Sequence, residues 1–179
     1  MKKILSILLI GFVLVGCNMM NTPTKKVEEF LMSYQTLSDD VVSDLELSTE
    51  MENLTSTNKV TYMDAMQRNY KNLKYEIVDE QIDGDDATVT AKITVYDLYK
   101  AMKESTDYLV DNSSEFEIDG VYDQDKYREY ELDEMLKTNY TVDYTIDFYL
   151  SKIDDEWILT EPNNVVKEKI HGIYNYELE

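Results

Sequence analysis

The chain is 179 residues long and 43% hydrophobic, and its 37 Asp and Glu against 17 Lys and Arg give a net charge of −20. So few cations disfavour nucleic acid and other polyanions as partners, because phosphate contacts need Lys and Arg. The 15 tyrosines and the periodic apolar residues exclude a disordered acidic chain, and a lone cysteine excludes an internal disulfide.

The first stretch is Lys2-Lys3, an apolar run from Ile4 to Val15, then Gly16-Cys17. Basic, apolar and small residues in that order form an export signal. The apolar run is shorter than the roughly 20 residues that a membrane-spanning helix needs. Leu14-Val15-Gly16-Cys17 resembles the lipobox of bacterial lipoproteins. That resemblance implies removal of residues 1–16 and a diacylglyceryl thioether on Cys17, which becomes the N-terminus. It places the protein on the extracytoplasmic face of the cell membrane, held by acyl chains such as palmitate. Two or more chains anchor stably, since each buried CH₂ contributes about 0.8 kcal/mol. Lipidation would also occupy the only thiol. Residues 17–23 then read as the lipidated cysteine and a short polar tether, and residues 24–179 as one domain. Roughly 160 residues are enough for a single core. Loss of Lys2 and Lys3 leaves the mature chain still more negative, which suits solubility at a crowded envelope or a cation-attracting surface.

Thr22-Pro23 offers a cap and a first helical residue, and Val27, Phe30, Leu31, Tyr34 and Leu37 follow at helical spacing. Ser38-Asp39-Asp40 predicts a second, shorter helix carrying Val41, Val42 and Leu45. Ser48 to Thr57 has weaker periodicity and reads as loop. Met63, Met66, Tyr70 and Leu73 place a third helix near 58–72. The period changes to two at Tyr75. Lys74–Ile82 and Ala87–Tyr96 predict a hairpin around Asp83-Gly84-Asp85-Asp86. In its second strand Val89, Ala91, Ile93 and Val95 share one face, opposite Thr88, Thr90, Lys92, Thr94 and Tyr96. Leu98, Ala101, Met102, Ser105 and Leu109 return to helical spacing. A polar loop over 111–122 and a helix near 123–138, with Leu132, Met135 and Leu136 inward, complete a helical insert. Val142, Tyr144, Ile146, Phe148 and Leu150 define the inner face of a long strand. An acidic turn, a return strand at Trp157-Ile158-Leu159 and a short helix with Val166, Ile170 and Ile173 end the chain.

The expected class is α+β: a curved, cone-like antiparallel sheet packed against N-terminal helices, with a helical insert between two hairpins. The N-terminal helices, the hairpins and Asp155-Glu156-Trp157-Ile158-Leu159 resemble the nuclear transport factor 2-like (cystatin-like cone) superfamily, and more narrowly its uncharacterised secreted lipoproteins. The resemblance covers roughly residues 17–160. The insert at 98–138 is longer than a plain cone needs. The open end of such a cone often forms a ligand pocket.

Chemistry-bearing motifs are few. Gly84, Gly120 and Gly172, the only glycines after the signal, are too dispersed for a phosphate loop. His171 is the sole histidine and is expected at the surface or a helix end. One His and a committed Cys cannot build a zinc site. Asp143 and Asp147 share a strand face roughly 13.6 Å apart, wider than the roughly 5–9.5 Å between glycosidase acids. Asp83-Gly84-Asp85-Asp86 fails the EF-hand pattern, as do Asp123, Asp125 and Glu129, and the first reads as a solvated turn. Tyr75, Tyr96 and Tyr144 are candidates for a ligand pocket, or else core and cross-strand packing. The expectation is no catalytic residue, metal or cofactor. A non-catalytic module would bind a small neutral or apolar ligand, or an envelope protein. The alternative is a cone-pocket enzyme using Asp or Glu and Tyr as acid and base. Replacement of Cys17 by Ser is expected to abolish fatty-acid labelling and leave the precursor unprocessed, read by metabolic labelling and gel mobility. Persistent labelling would refute the lipobox.

Overall fold

The computed structural model describes residues 21–51 and 53–178. Cys17 and the signal at 1–16 lie outside the described residues. The elements are α1 (Pro23–Gln35), α2 (Asp39–Met51), α3 (Ser56–Asn72), β1 (Lys74–Asp83), β2 (Asp86–Tyr96), α4 (Leu98–Asp111), β3 (Glu117–Ile118), β4 (Val121–Tyr122), α5 (Gln124–Lys137), β5 (Thr141–Ile153), β6 (Glu156–Leu159) and α6 (Asn164–His171). Short 3₁₀ turns occupy Ser113–Phe116 and Tyr176–Leu178.

The main sheet is antiparallel throughout, in the order β1-β2-β5-β6. It belongs to an α+β domain, as the alternating strands predict, with the helical insert between the hairpins. Inward Ala87, Val89, Ala91, Ile93 and Val95 of β2 meet Tyr144, Ile146, Phe148 and Leu150 of β5 in one core. Val27 and Leu31 of α1, Leu73, and Ile170 of α6 cover that face. The opposite face is wet. Thr90 and Thr94 donate hydrogen bonds to Asp147 and Asp143 at 2.7 and 2.6 Å, and Lys92 pairs with Asp143 at 2.7 Å. These partners hold the Asp143 carboxyl below its usual range.

A second core lies among helices alone. Leu45, Ala65, Met66, Tyr70, Leu98, Ala101, Leu132 and Met135 come from α2, α3, α4 and α5. Tyr34 borders both cores. Asn69 of α3, fully buried, joins them. Its Nδ2 donates to the carbonyls of Ile170 and His171 at 3.1 and 3.0 Å, and its Oδ1 accepts from the Tyr96 amide at 2.9 Å. Beside it, Gly172 ends α6 in the left-handed region, at φ 74°. A Cβ there would lie 2.2 Å from the Tyr96 carbonyl oxygen. The Gly172 carbonyl in turn accepts from the Tyr99 amide at 2.8 Å.

Three boundaries differ from the sequence reading. The stretch from Ser48 is not loop: α2 continues to Met51, and α3 starts at Ser56 behind a Thr55 cap. Thr49 occupies the inward position after Leu45 and is buried, a polar residue continuing an apolar stripe. Residues 111–122 hold a 3₁₀ turn and the β3–β4 ribbon, with Phe116 buried at 4% exposure. The tether ends earlier than residue 23. The Asn21 Nδ2 donates to the Asp155 carbonyl at 2.7 Å, and its Oδ1 accepts from the Trp157 amide at 3.0 Å. Thr22 caps α1 and Pro23 is its first residue.

Trp157 is buried within the sheet core, on the strand that α1 packs against. Gly172→Ala is expected to destabilise the domain by at least about 2 kcal/mol, from left-handed strain and the Tyr96 clash together. Gly84→Ala, at φ 62° with nothing within 4 Å, carries strain alone and is expected to lose about 1 kcal/mol. Urea unfolding of both variants checks this, and equal losses would show that the close approach is not tight.

Candidate functional site

The three candidate tyrosines do not share a pocket. Tyr75 pairs with Ile93, and Ile93 with Tyr144, so Tyr75 and Tyr144 stand in one cross-strand row on the core side. Tyr144 is buried and meets the Tyr174 ring edge-on at 5.9 Å. Tyr96 lies on the other face of β2, at the helical core, with the Arg68 guanidinium 3.9 Å from its ring centroid. It lines a recess of about 100 Å³ with Asn72, Lys74 and Thr94.

The larger openings lie elsewhere. A groove of about 680 Å³ runs between α4 and α5. Ala101 and Ser105 on α4 are small and buried, so the two helices leave space between them. Tyr108 and Tyr130 stack along the groove with centroids 5.0 Å apart and planes 27° apart. Phe116 supports them from the insert, at 6.2 and 5.4 Å. Glu104 and Glu134 line the walls, and Tyr140 closes the end nearest the sheet. The nearby cations already have internal partners. Arg68 donates to the Thr138 carbonyl and to Asn139 Oδ1 at 2.8 and 3.1 Å. Lys137 pairs with Asp133 and Glu134 at 3.6 and 3.3 Å. Lys100 sits 3.5 Å over the Tyr140 ring and 3.8 Å from Glu104. Among the described residues the groove therefore offers aromatic faces, hydroxyls and carboxylates, but no cation without an internal partner.

The second opening, of about 480 Å³, lies where α1, α2, α3 and α6 meet. Its walls include Tyr34, Asp44, Tyr70, Glu161, Lys167 and His171. His171 is the helix-end residue that the sequence suggested, but it is turned inward. Its ring lies 5.6 Å from Tyr70 and 6.4 Å from Tyr34. Burial lowers the imidazole pKa to about 4, and the Lys167 charge adds to the shift. Burial, with a smaller contribution from Asp44, pushes the Tyr34 phenol up to about 12. Tyr70 is raised as well, by burial first and then by Tyr34, Tyr62 and Asp44. At neutral pH the cleft thus presents a neutral imidazole and two protonated phenols, hydrogen-bonding groups without charge.

Among the described residues no group of three or more His, Cys, Asp or Glu side chains is placed to hold a metal ion. Among them, too, no helix is long and apolar enough to cross a membrane. The cleft yields a titration test, because the chain has one histidine. The unfolded imidazole titrates near 6.5 and the folded one near 4, so between these values the unfolded chain binds more protons. His171's contribution to stability is complete above about pH 6.5 and is lost as the pH falls towards 4. The expected NMR midpoint of the His171 ring is near 4, and His171→Phe should flatten the stability profile across this pH range. A midpoint close to 6.5 would show a solvated ring.

No protein-family model matches this chain, and no curated protein matches it. Among solved structures it is similar to the crystal structure of a candidate lipoprotein (ycdA) from Bacillus subtilis subsp. subtilis strain 168. The identity is 17% and the TM-score 0.40, and the match covers 85% of this chain and 47% of that one. The chain spans about half the length of that protein.

Proposed function

We propose that this protein is a lipid-anchored lipoprotein of the extracytoplasmic membrane face, whose domain is a non-catalytic binding module of the nuclear transport factor 2-like cone class. The anchor reading rests on the tripartite signal ending at Cys17. The cone reading is supported by the antiparallel sheet and by the helices that cover one face of it.

The observation that carries the binding reading is the groove between α4 and α5. It is of ligand size, and stacked Tyr108 and Tyr130 line it together with Glu104 and Glu134. Aromatic faces beside carboxylates suit a small neutral or cationic ligand. Anions are disfavoured, because burial of a like charge without a free Lys or Arg is expensive. Nucleic acid is disfavoured on the same ground.

A second reading is an enzyme that uses an acid and a tyrosine. The cleft favours it to this extent: Tyr34, Tyr70 and His171, all with shifted titration, share one wall with Asp44. Against it, a phenol held near 12 and an imidazole near 4 are both poorly matched to proton transfer at neutral pH.

The test is retention. Protein purified from membranes in detergent is incubated with envelope extract, and bound small molecules are identified. The expected ligand is neutral or cationic, and Tyr130→Ala should weaken it about tenfold or more, roughly 1.4 kcal/mol. Recovery of a nucleic acid or a phosphorylated metabolite would refute the reading. Turnover lost on replacing Asp44 by Asn would establish the enzyme instead.

A further inference from the structure

We infer that the cleft where α1, α2, α3 and α6 meet is a second binding site, for a small uncharged molecule with an apolar body and a carbonyl acceptor, held by the hydroxyls of Tyr34 and Tyr70 and the imidazole of His171. It is separate from the groove between α4 and α5 and does not depend on a ligand there.

The polar tips are the first observation. Tyr34, Tyr70 and His171 form one cluster of rings, with centroids 5.1 Å apart for Tyr34 and Tyr70, 5.6 Å for Tyr70 and His171, and 6.4 Å for Tyr34 and His171. All three line the same opening of about 480 Å³. Among the described residues, neither phenol hydroxyl nor the imidazole has a hydrogen-bond partner, and the three share ring packing only. Neighbouring polar groups are committed. The Ser48 hydroxyl donates to the Asp44 carbonyl at 2.9 Å, and Lys167 pairs with Glu161 at 2.7 Å. Tyr70 is only 2% exposed, yet its hydroxyl is not sealed from the surface. The cleft is the opening that Tyr70 lines, so the hydroxyl reaches the cleft. A buried hydroxyl without a partner is costly, and an acceptor that enters from outside recovers that cost.

The walls are the second. Val41, Leu45 and Leu47 of α2 line the opening together with the three rings. At about 480 Å³ it is of ligand size and far exceeds the roughly 30 Å³ of one water. An apolar body packs on these side chains while the tips hold its polar group. A carbonyl oxygen has two lone pairs, one for each phenol. The neutral imidazole keeps one donor and one acceptor nitrogen, which suits an amide N–H or a hydroxyl beside that carbonyl.

Charge is the third. Burial pushes Tyr34 up to about 12, raises Tyr70 and lowers His171 to about 4, so all three are uncharged at neutral pH. Surroundings that disfavour phenolate and imidazolium alike disfavour a ligand of either sign. Asp44 on the wall opposes an anion further, and Lys167 already has Glu161.

The experiment uses protein purified from membranes in detergent, with isotope-labelled histidine. The chain has one histidine, so its ring signal reports on the cleft alone. The probes are benzamide, benzoate and benzylamine, matched in size and ring and differing in charge. At ordinary ligand efficiency a molecule of this size binds at about 10 mM. Benzamide is expected to give a saturable shift of the His171 ring at about that concentration or below, and the two charged probes to bind several-fold more weakly. Tyr34→Phe and Tyr70→Phe should each weaken benzamide several-fold while the melting midpoint holds, because neither loses an internal hydrogen bond. No saturable shift at several times that concentration means a cleft that holds water only, and overturns the site. Equal binding of the three probes overturns the selection for an uncharged ligand. Unchanged benzamide affinity in both variants overturns the role of the hydroxyls, as does a lowered melting midpoint, which would show that the hydroxyl serves the fold.

Discussion

Everything above the sheet depends on the close crossing of two backbones at Tyr96 and Gly172. Without a Cβ on residue 172, the end of α6 meets the end of β2 at a distance that no other residue permits. That contact leaves buried peptide groups which neither strand nor helix can satisfy, and Asn69 of α3 supplies two donors and one acceptor to them. An unpartnered buried amide costs about 1–3 kcal/mol, so the asparagine fixes how the helical core sits on the sheet core. Just beyond, Asp97 caps α4 through the Lys100 amide at 2.9 Å and accepts the Tyr176 hydroxyl at 3.1 Å. The start of the insert is thereby set by the same few residues.

This junction explains which regions of the molecule were legible in the sequence. Strands β2 and β5 have one dry and one wet face, so their alternation was unambiguous. Helix α1 carried a readable cap at Thr22, and α1, α4 and α5 carried inward stripes, whereas the caps at Asp97 and Asp123 emerge only in the structure. Where a polar residue took an inward place, as Thr49 does in α2, the stripe was lost to view. The β3–β4 ribbon has two residues per strand, too few for any period. The pinning of Asn21 was invisible for a different reason: its partners are more than 130 positions away in the chain.

The candidate sites were less legible than the fold. Alternation already placed Tyr96 on the face opposite Ile93 and Val95, and Tyr144 on the inner face, and the structure keeps them apart accordingly. Neither large opening announces itself locally. The groove needs small Ala101 and Ser105 on α4 and a tyrosine from each helix, Tyr108 and Tyr130, and the cleft needs residues from four helices to converge on His171. A single histidine in an acidic chain reads as a surface residue. Only the packing of Tyr34 and Tyr70 against it shows the ring turned inward.

The distribution of charge fits this division. Carboxylates on the open sheet face are held by neighbouring strands, as Asp143 is by Lys92 and Thr94, and belong to a solvated surface rather than a site. In the groove the balance is different. Lys100 stands over a Tyr140 face and Lys137 beside two acids, so carboxylates offset the positive charge next to the groove while aromatic surface lines it. The space against the sheet is filled by Tyr75, Ile77, Tyr144 and the side chains of α1, so the sheet is a closed core. The helical insert supplies the larger of the two openings, and the helices around His171 the other.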